Sequence, residues 1–287
     1  MKIVITGANG QLGQSLKKIS KAFQADWIFT DIGELDITNN LSLNTFFKAN
    51  APDFLINCAA FTAVDKAETA QESANKINHL AVENIAVACQ KTDCKLIHIS
   101  TEYVFDGKQY RPYIETDPCK PLSIYGQTKL SGENAAKENL LNAIIIRTSW
   151  LYSEFGENFM KTMLKLGETR KSLNVVFDQI GSPTYAESLA AGIIRILEKH
   201  QRDNLWEAGI YHFSNQGVCS WYDFAKWIMD NAKLNCQIHP ITTDQYPTPA
   251  KRPFYSVLDK SEFEKTFEYR IPHWTDAAAE CLASLLL

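Results

Sequence analysis

The chain has 287 residues, of which 45% are hydrophobic and 22% are charged, and its net charge is −4 at neutral pH. This composition is typical of a globular protein and excludes an intrinsically disordered one. Because lysine and arginine form no dense cluster, nucleic acid is not an expected partner. The length suits one large α/β domain, or a cofactor-binding domain with a smaller lobe.

Strands and helices alternate through the first half of the chain. Strands are predicted over residues 2–6, 26–30, 54–58, 95–100 and 143–148. Helices are predicted over residues 11–23, 41–50, 65–90 and 123–138. Strands that alternate with helices predict an α/β fold with a doubly wound parallel sheet of the Rossmann type.

After residue 150 the pattern loosens into short strands, near residues 173–177 and 209–213, and proline-bearing loops. A long apolar helix over residues 185–199 is the exception. We predict a dinucleotide-binding domain over residues 1–150 and a smaller, mainly substrate-binding lobe over residues 151–287. Within that lobe, residues from about 181 to 205 are expected to pack back on the cofactor domain.

Cysteine usage and hydropathy indicate the compartment. The seven cysteines are scattered, without a CxxC pair or histidines at metal spacing, so reduced thiols and no metal site are expected. The first strand begins at Lys2, and no apolar run approaches the roughly 18 residues of a membrane helix. A cytoplasmic location without membrane contact is therefore predicted.

Three glycines follow the first strand in the pattern GxxGxxG, at Gly7, Gly10 and Gly13. Glycine tightens the turn, lets the backbone approach a pyrophosphate and allows the following helix to pack closely. The amino terminus of that helix then faces the anion. We interpret the segment as a dinucleotide-binding turn; a purely structural turn is the alternative.

The end of the second predicted strand bears on the choice of cofactor. Asp31 lies where an acidic residue bonds the ribose hydroxyls of a dinucleotide. Asp31 and Glu34 are expected to repel a 2′-phosphate, and no lysine or arginine occurs between Phe29 and Ile37. This favours NADH, with NADPH open because basic groups elsewhere could reverse the preference. A solvated loop is the alternative for Asp31.

The segment Tyr125 to Lys129 has the pattern YxxxK, which places the phenol and the ammonium on one helix face. A nearby ammonium lowers the pKa of a phenol and suits it to give a proton to a carbonyl oxygen. Thr101 ends the fourth predicted strand, where doubly wound sheets place their ligands. Together these residues predict a Thr101, Tyr125, Lys129 catalytic triad. The alternatives are an exposed tyrosine beside a lysine and a strand-end cap.

Several longer motifs resemble the dTDP-4-dehydrorhamnose reductases of the extended short-chain dehydrogenase family. They are ISTEYVFDG at residues 99–107, YGQTK at 125–129, NCAA at 57–60, VDKAE at 64–68, RTSW at 147–150, DQ and GSPT within 178–184, and YPTPA with RP within 246–253. Pro112, Tyr113, Glu115 and Pro121 belong to the same set. The resemblance spans nearly the whole chain.

The resemblance implies reduction of the C4 ketone of dTDP-4-dehydro-6-deoxy-L-mannose to dTDP-L-rhamnose, a nucleotide sugar used for bacterial surface polysaccharide. Tyr125 is then the proton donor. The residues implied to hold the cofactor are Gly10, Gln11, Leu12, Asp36, Ile37, Ala59, Ala60 and Lys129. Those implied to contact the sugar nucleotide are Thr101, Glu102 and Trp150.

Three further expectations concern binding partners. A guanidinium matches diphosphate oxygens bidentately, so Arg252 is a candidate for the diphosphate, with a surface salt bridge as the alternative. Glu102 stands where the family usually has aspartate, which bears on substrate affinity. Magnesium bridging a dimer in the family is not expected here, because residues 14–18 carry no carboxylate. Both a monomer and a homodimer stay open.

Two other activities fit the same scaffold. A sugar-nucleotide dehydratase or epimerase shares the glycine turn and YxxxK, but a dehydratase needs a second carboxylate where this chain has Tyr103. The non-catalytic regulatory subunit of methionine adenosyltransferase is built on the same reductase fold, and fold alone does not exclude it. The intact set of Thr101, Tyr125, Lys129 and Trp150 favours an active reductase.

Overall fold

A parallel sheet of six strands forms the centre of the molecule, which a computed structural model describes over residues 1–286. The strand order is β10-β5-β4-β3-β1-β2, and every neighbouring pair is parallel. These strands are β1 Lys2–Thr6, β2 Asp26–Phe29, β3 Phe54–Asn57, β4 Lys95–Thr101, β5 Ile144–Thr148 and β10 Gly209–His212. The other strands are β6 Leu151–Tyr152, β7 Ser172–Val176, β8 Ile180–Gly181, β9 Thr184–Tyr185, β11 Cys219–Ser220 and β12 Gln237–Ile241.

Helices cover both faces of the sheet. They are α1 Gln11–Ile19, α2 Asn40–Asn50, α3 Val64–Ala67, α4 Gln71–Asn75, α5 Ala81–Thr92, α6 Ile124–Asn139, α7 Phe159–Thr169, α8 Ala186–Asp203, α9 Trp221–Asn231, α10 Ser261–Phe267 and α11 Trp274–Leu286. Side chains of α1 and α8 share one core with the sheet, and those of α2, α5 and α6 share a second. The predicted doubly wound fold is confirmed.

Burial on both faces explains the composition of the central strands. All four residues of β3 and all five of β5 are buried. A strand that is covered on both sides reads as a continuous apolar run rather than an alternating one. The run of three isoleucines in β5 is therefore a consequence of its place inside the sheet, between β10 and β4.

The sheet draws its sixth strand from the second half of the chain. Strand β10 pairs with β5, from Gly209 opposite Ile144 to His212 opposite Arg147. Helix α8 packs against α1 on the same side of the sheet, with Leu189 and Ile193 fully buried. The chain thus returns to the central sheet and to α1 after residue 151. The domain limits at residue 150 stay a prediction.

A separate apolar core lies in the remainder of the second half. It joins α7, α9 and α11 through residues that include Met160, Phe224 and Ala278. Short strand pairs, β6 with β9, β7 with β12 and β8 with β11, replace an extended sheet there. At the start of this half, Leu151, Gly156 and Glu157 line the cavity described below.

The single helix predicted over residues 65–90 is wrong, because the chain forms α3, α4, a π-helical turn at Lys76–Leu80 and α5 in succession. The π turn includes Asn78, whose amide bonds the backbone of Phe61 and the hydroxyl of Thr128 on α6. An alanine-rich pattern predicts a helix but does not show where it is interrupted. The π turn here coincides with a contact to α6, which is distant in sequence.

Candidate active site

A cavity of about 750 Å³ opens at the carboxyl ends of the parallel strands. Ligands of open parallel sheets bind at this edge. Every predicted site residue except Arg252 lines it, namely Gly7, Gly10, Gln11, Leu12, Gly13, Asp31, Asp36, Ile37, Ala59, Ala60, Thr101, Glu102, Tyr125, Lys129 and Trp150. Residues that are far apart in sequence are therefore brought to one place. Their individual roles stay predictions.

The glycine turn leaves no room for side chains. Gly7 has a φ of +64°, and a Cβ there would lie 2.7 Å from the Cα of Ala59. A Cβ on Gly13 would lie 2.5 Å from the carbonyl oxygen of Gly7. Helix α1 begins directly after Gly10, which makes no side-chain cap, so the first backbone N–H groups of α1 face the cavity. This cradle fits the pyrophosphate of a dinucleotide.

Two carboxylates lie at the predicted adenosine end. Asp31 accepts hydrogen bonds from the backbone nitrogens of Asn9, at 3.0 Å, and Ile32, at 2.8 Å. Asp36 accepts from the backbone nitrogen and the hydroxyl of Thr38, and these bonds lower the pKa of Asp36. Both side chains are thereby held in place beside the turn.

Helix α6 carries Tyr125 and Lys129. The hydroxyl of Ser123 caps its amino terminus by accepting from the backbone nitrogen of Gly126. The buried ammonium of Lys129 donates to the carbonyl oxygen of Ile99 at 2.6 Å, and it lies 3.4 Å from Nε2 of His98. Burial lowers the pKa of Lys129 to about 8.

The direction of the Tyr125 pKa differs from the sequence prediction. Burial and the carboxylate of Glu102 raise this pKa above its ordinary value, and only the Thr101 hydroxyl opposes them. The Lys129 ammonium is committed to strand β4 rather than to the phenol. The tyrosine is therefore fully protonated at neutral pH, as a proton donor must be before it acts.

Thr101 is the last residue of β4, and Glu102 begins the turn that follows it. The hydroxyl of Thr101 donates to Oε2 of Glu102 at 2.7 Å and accepts from the backbone nitrogen of Tyr103 at 3.2 Å. Glu102 is buried, and burial raises its pKa to about 7. A carboxyl that changes charge near neutral pH thus lies one hydrogen bond from the predicted triad.

A buried ion pair anchors α6 to the sheet. Glu133 of α6 accepts two hydrogen bonds from Arg147 of β5, at 2.7 and 3.0 Å, and one from the hydroxyl of Ser100 of β4. The Arg147 guanidinium also lies 5.1 Å from the ring centroid of Phe105. This network fixes the position of α6 along β4, the strand that ends at Thr101.

Asn57 and His98 form a buried polar chain behind Lys129 that sequence reasoning missed. Asn57 Oδ1 accepts from the hydroxyl of Thr6 and the backbone nitrogen of Ala59, so its Nδ2 faces Nδ1 of His98. Polar residues inside the otherwise apolar strands β3 and β4 are the signal that could have revealed it.

Trp150 and Arg252, the two other residues predicted to contact the sugar nucleotide, differ in placement. Trp150 has a left-handed φ of 47° and stacks on Trp221 with ring centroids 3.6 Å apart. Trp150 also lines the cavity, so its role is not limited to packing in the core. Arg252 instead pairs with Asp65 at 2.8 Å and donates to the hydroxyl of Tyr103 at 3.0 Å, outside the cavity lining.

Two absences concern the described part of the chain. Residues 1–286 contain no group of three or more metal-ligating side chains that could hold an ion. Two carboxylates that do lie close together, those of Glu154 and Glu187, are paired with a lysine: the Lys18 ammonium, at the end of α1, lies 2.7 Å from Glu154 and 2.6 Å from Glu187. Over the same residues, the structure has no helix with the length and apolarity to cross a membrane.

The parallel sheet, the glycine turn and the YxxxK helix define an oxidoreductase fold of the extended short-chain dehydrogenase class. The family model described as RmlD substrate binding domain matches residues 1–287. The chain belongs to the dTDP-4-dehydrorhamnose reductase family.

Three relatives illustrate the similarity. The dTDP-4-dehydrorhamnose reductase of Aggregatibacter actinomycetemcomitans is 40% identical over 96% of both chains. A crystal structure of the Clostridium acetobutylicum reductase superimposes with a TM-score of 0.95, at 42% identity over the whole of both chains. The Bacillus anthracis reductase in complex with NADP gives a TM-score of 0.92, at 38% identity over 99% of both chains. The family resemblance stated from the motifs is confirmed.

Proposed function

We propose that the protein reduces the C4 ketone of dTDP-4-dehydro-6-deoxy-L-mannose to dTDP-L-rhamnose in nucleotide-sugar biosynthesis. The observation that carries the proposal is that Thr101, Tyr125 and Lys129 line the same cavity as the glycine turn. The dinucleotide, NADPH or NADH, supplies the hydride when bound. The names of the relatives indicate the substrate, and the residues that line the cavity support the type of reaction.

Each residue of the triad has a role that its surroundings support. Tyr125 holds its proton until the ketone oxygen gains negative charge, and then gives it to that oxygen. Thr101 orients the phenol and the ketone through its hydroxyl. Lys129, fixed by the carbonyl of Ile99, supplies positive charge for the ribose hydroxyls beside the nicotinamide. Trp150 offers an apolar face to the deoxysugar.

The competing activities are less well supported. A dehydratase needs a base next to Glu102, but that position is Tyr103, and burial raises its pKa to about 12. A non-catalytic binding subunit has no need of a buried lysine, since burying an ammonium is costly. Both considerations favour ketone reduction.

Turnover with dTDP-4-dehydro-6-deoxy-L-mannose tests the proposal. Loss of NADH or NADPH absorbance is followed, and the product is identified by mass. Tyr125→Phe is expected to lower kcat by roughly a hundredfold to ten-thousandfold while dinucleotide affinity is kept. Full turnover by Tyr125→Phe contradicts the assigned proton donor, and tight dinucleotide binding without turnover by the native protein favours the binding subunit.

We also propose a cytoplasmic location, supported by seven free cysteines and by the need for a reduced dinucleotide. A monomer or a homodimer stays a prediction, which light scattering of the purified protein decides. For the cofactor, Asp31 supports NADH, while the NADP complex of the B. anthracis relative supports NADPH. Comparing kcat/KM for the two dinucleotides settles the preference.

A further inference from the structure

A short loop after β6 lies against the dinucleotide turn. The loop runs from Ser153 to Asn158, between β6 and α7. Its Gly156 and Glu157 line the cavity together with Gln11, the first residue of α1. Gly156 has a φ of +60°, and a Cβ there would lie 3.3 Å from Cγ of Gln11. The loop belongs to the second half of the chain, yet it packs on the start of the helix that follows the glycine turn.

Two backbone groups fix the direction of the Asn158 amide. Its Oδ1 accepts from the backbone nitrogen of Lys161 at 3.2 Å and so caps the amino terminus of α7. Its Nδ2 lies 2.7 Å from the carbonyl oxygen of Ser153, which can only accept. A reversed amide would place donor against donor at one end and acceptor against acceptor at the other. Asn158 therefore presents a donor to the Gln11 side chain.

The Gln11 amide is fixed by the same reasoning. Asn158 Nδ2 donates to it at 3.0 Å, and the Ser153 hydroxyl donates to the same atom at 3.0 Å, so that atom is the acceptor Oε1. Within residues 1–286, these are the only hydrogen bonds of the Gln11 side chain, and Nε2 is not buried. The two protons of Nε2 are therefore open to the cavity that Gln11 lines.

We propose that Ser153 and Asn158 are positioning residues that hold the Gln11 amide so that Nε2 donates to the diphosphate of the bound dinucleotide. Diphosphate oxygens only accept, so a donor stabilises them and a carboxamide oxygen repels them. Gln11 begins α1, whose first backbone N–H groups face the same cradle. The inference rests on the proposed function and deepens it, because it assigns two residues of the predicted substrate-binding lobe to dinucleotide binding.

Dinucleotide affinity, measured by calorimetry, tests the role of Gln11. Gln11→Ala removes the donor, and Kd for NADH and NADPH is expected to rise roughly tenfold to a hundredfold, as for the loss of a hydrogen bond to a charged group. Gln14→Ala is the matched control, because Gln14 lies on the same helix, donates to the carbonyl oxygen of Asn9 and does not line the cavity. Its Kd is expected to stay native. Equal Kd values for the two variants overturn the inference.

Asn158→Asp tests whether the loop sets the direction of the Gln11 amide. Aspartate caps a helix as well as asparagine does, so the fold is expected to be kept. It has no donor, so Gln11 is expected to turn Nε2 to the new carboxylate and Oε1 to the diphosphate, with a roughly tenfold rise in Kd. In a Gln11→Ala background the same change is expected to alter Kd by less than about twofold. An equal rise in both backgrounds means that the added charge acts directly, and it overturns the inference.

Nuclear magnetic resonance separates this inference from the proposed function, because it needs no turnover. The side-chain NH2 signals of Gln11 in 15N-labelled protein are identified by their loss in Gln11→Ala. Adenosine diphosphate is expected to shift them downfield, whereas adenosine, which has no phosphate, is expected to leave them in place. In Asn158→Asp the response to adenosine diphosphate is expected to be lost. Signals that adenosine diphosphate does not shift in the native protein overturn the inference, whether or not the protein reduces a sugar nucleotide.

Discussion

The sheet half of the molecule and the second-half lobe build the same cavity by different means. The sheet half contributes short contiguous motifs, Gly7 to Gly13 and Tyr125 to Lys129, each placed by one turn or one helix. The lobe contributes Trp221, which stacks on Trp150, a cavity-lining residue two positions after β5 and 71 residues earlier in the chain (221 − 150). Reaction chemistry is thus encoded locally, whereas the surface for the sugar depends on tertiary contacts. Four substitutions test this contrast.

The largest effect is expected in the sheet half, at Arg147. Arg147→Met leaves Glu133 buried and unpaired, which is expected to cost about 3–5 kcal/mol of unfolding free energy. Urea unfolding followed by circular dichroism measures it. Arg195→Met removes a partly exposed pair with Glu268 and is expected to change stability by no more than about 1 kcal/mol. Equal losses in the two variants contradict the anchoring role of Arg147.

The glycine turn is expected to tolerate no methyl group. Gly13→Ala places a Cβ against the backbone of Gly7 and Ala8, at 2.5–2.8 Å, and overpacking of this kind costs roughly 1–3 kcal/mol. Dinucleotide affinity, measured by calorimetry, is expected to fall with it. Gly33→Ala is the matched control, because a Cβ there meets no atom within 4 Å. Unchanged affinity in Gly13→Ala argues against the cradle.

The stack behind Trp150 is expected to affect the sugar nucleotide alone. Trp221→Leu removes the ring that supports Trp150, and KM for the sugar nucleotide is expected to rise roughly threefold to tenfold. Dinucleotide affinity is expected to stay as in the native protein. Trp227→Leu, which removes a tryptophan packed on Trp274 in the same lobe, serves as control. A similar rise of KM in both variants means general loosening of the lobe.

The smallest effect concerns the choice of dinucleotide. Asp31→Asn removes one negative charge and keeps an acceptor oxygen for one of the two backbone nitrogens, those of Asn9 and Ile32, that the carboxylate binds. The ratio of kcat/KM for NADPH to that for NADH is expected to rise roughly fivefold. Asp26→Asn removes the same charge at the far, exposed end of β2 and is expected to leave the ratio as it was. A ratio that Asp31→Asn does not move contradicts the predicted repulsion.

Short motifs made most of the fold and the cavity predictable. The alternation of strands and helices is sufficient for the doubly wound sheet, and glycine spacing with YxxxK is sufficient for the turn and for Tyr125 and Lys129. The rest of the site lining was implied by the resemblance to the reductase family. The pKa values of the site residues were harder to predict from the sequence. The raised pKa of Tyr125 follows from burial and from Glu102, and neither the burial nor the hydrogen bond of Lys129 to Ile99 is written in the pattern.

Contacts between distant segments account for the other differences. The π turn contains Asn78, whose amide donates a hydrogen bond to the Thr128 hydroxyl on α6, fifty residues later in the chain. Arg252 is drawn to Asp65, far away in sequence, rather than into the cavity. The Asn57 and His98 pair depends on β3 lying next to β4. A local pattern contains none of these partners, so single-sequence reasoning has no means to place them.

The origin of β10 has a consequence for synthesis on the ribosome. A nascent chain that has emerged only to residue 150 has β5 as an unpaired sheet edge, and its α1 face lacks the cover of α8. Both surfaces stay open until about sixty further residues leave the exit tunnel. The first five strands of the sheet are therefore encoded early, but the sheet is completed late, and an edge and an apolar face stay exposed in between.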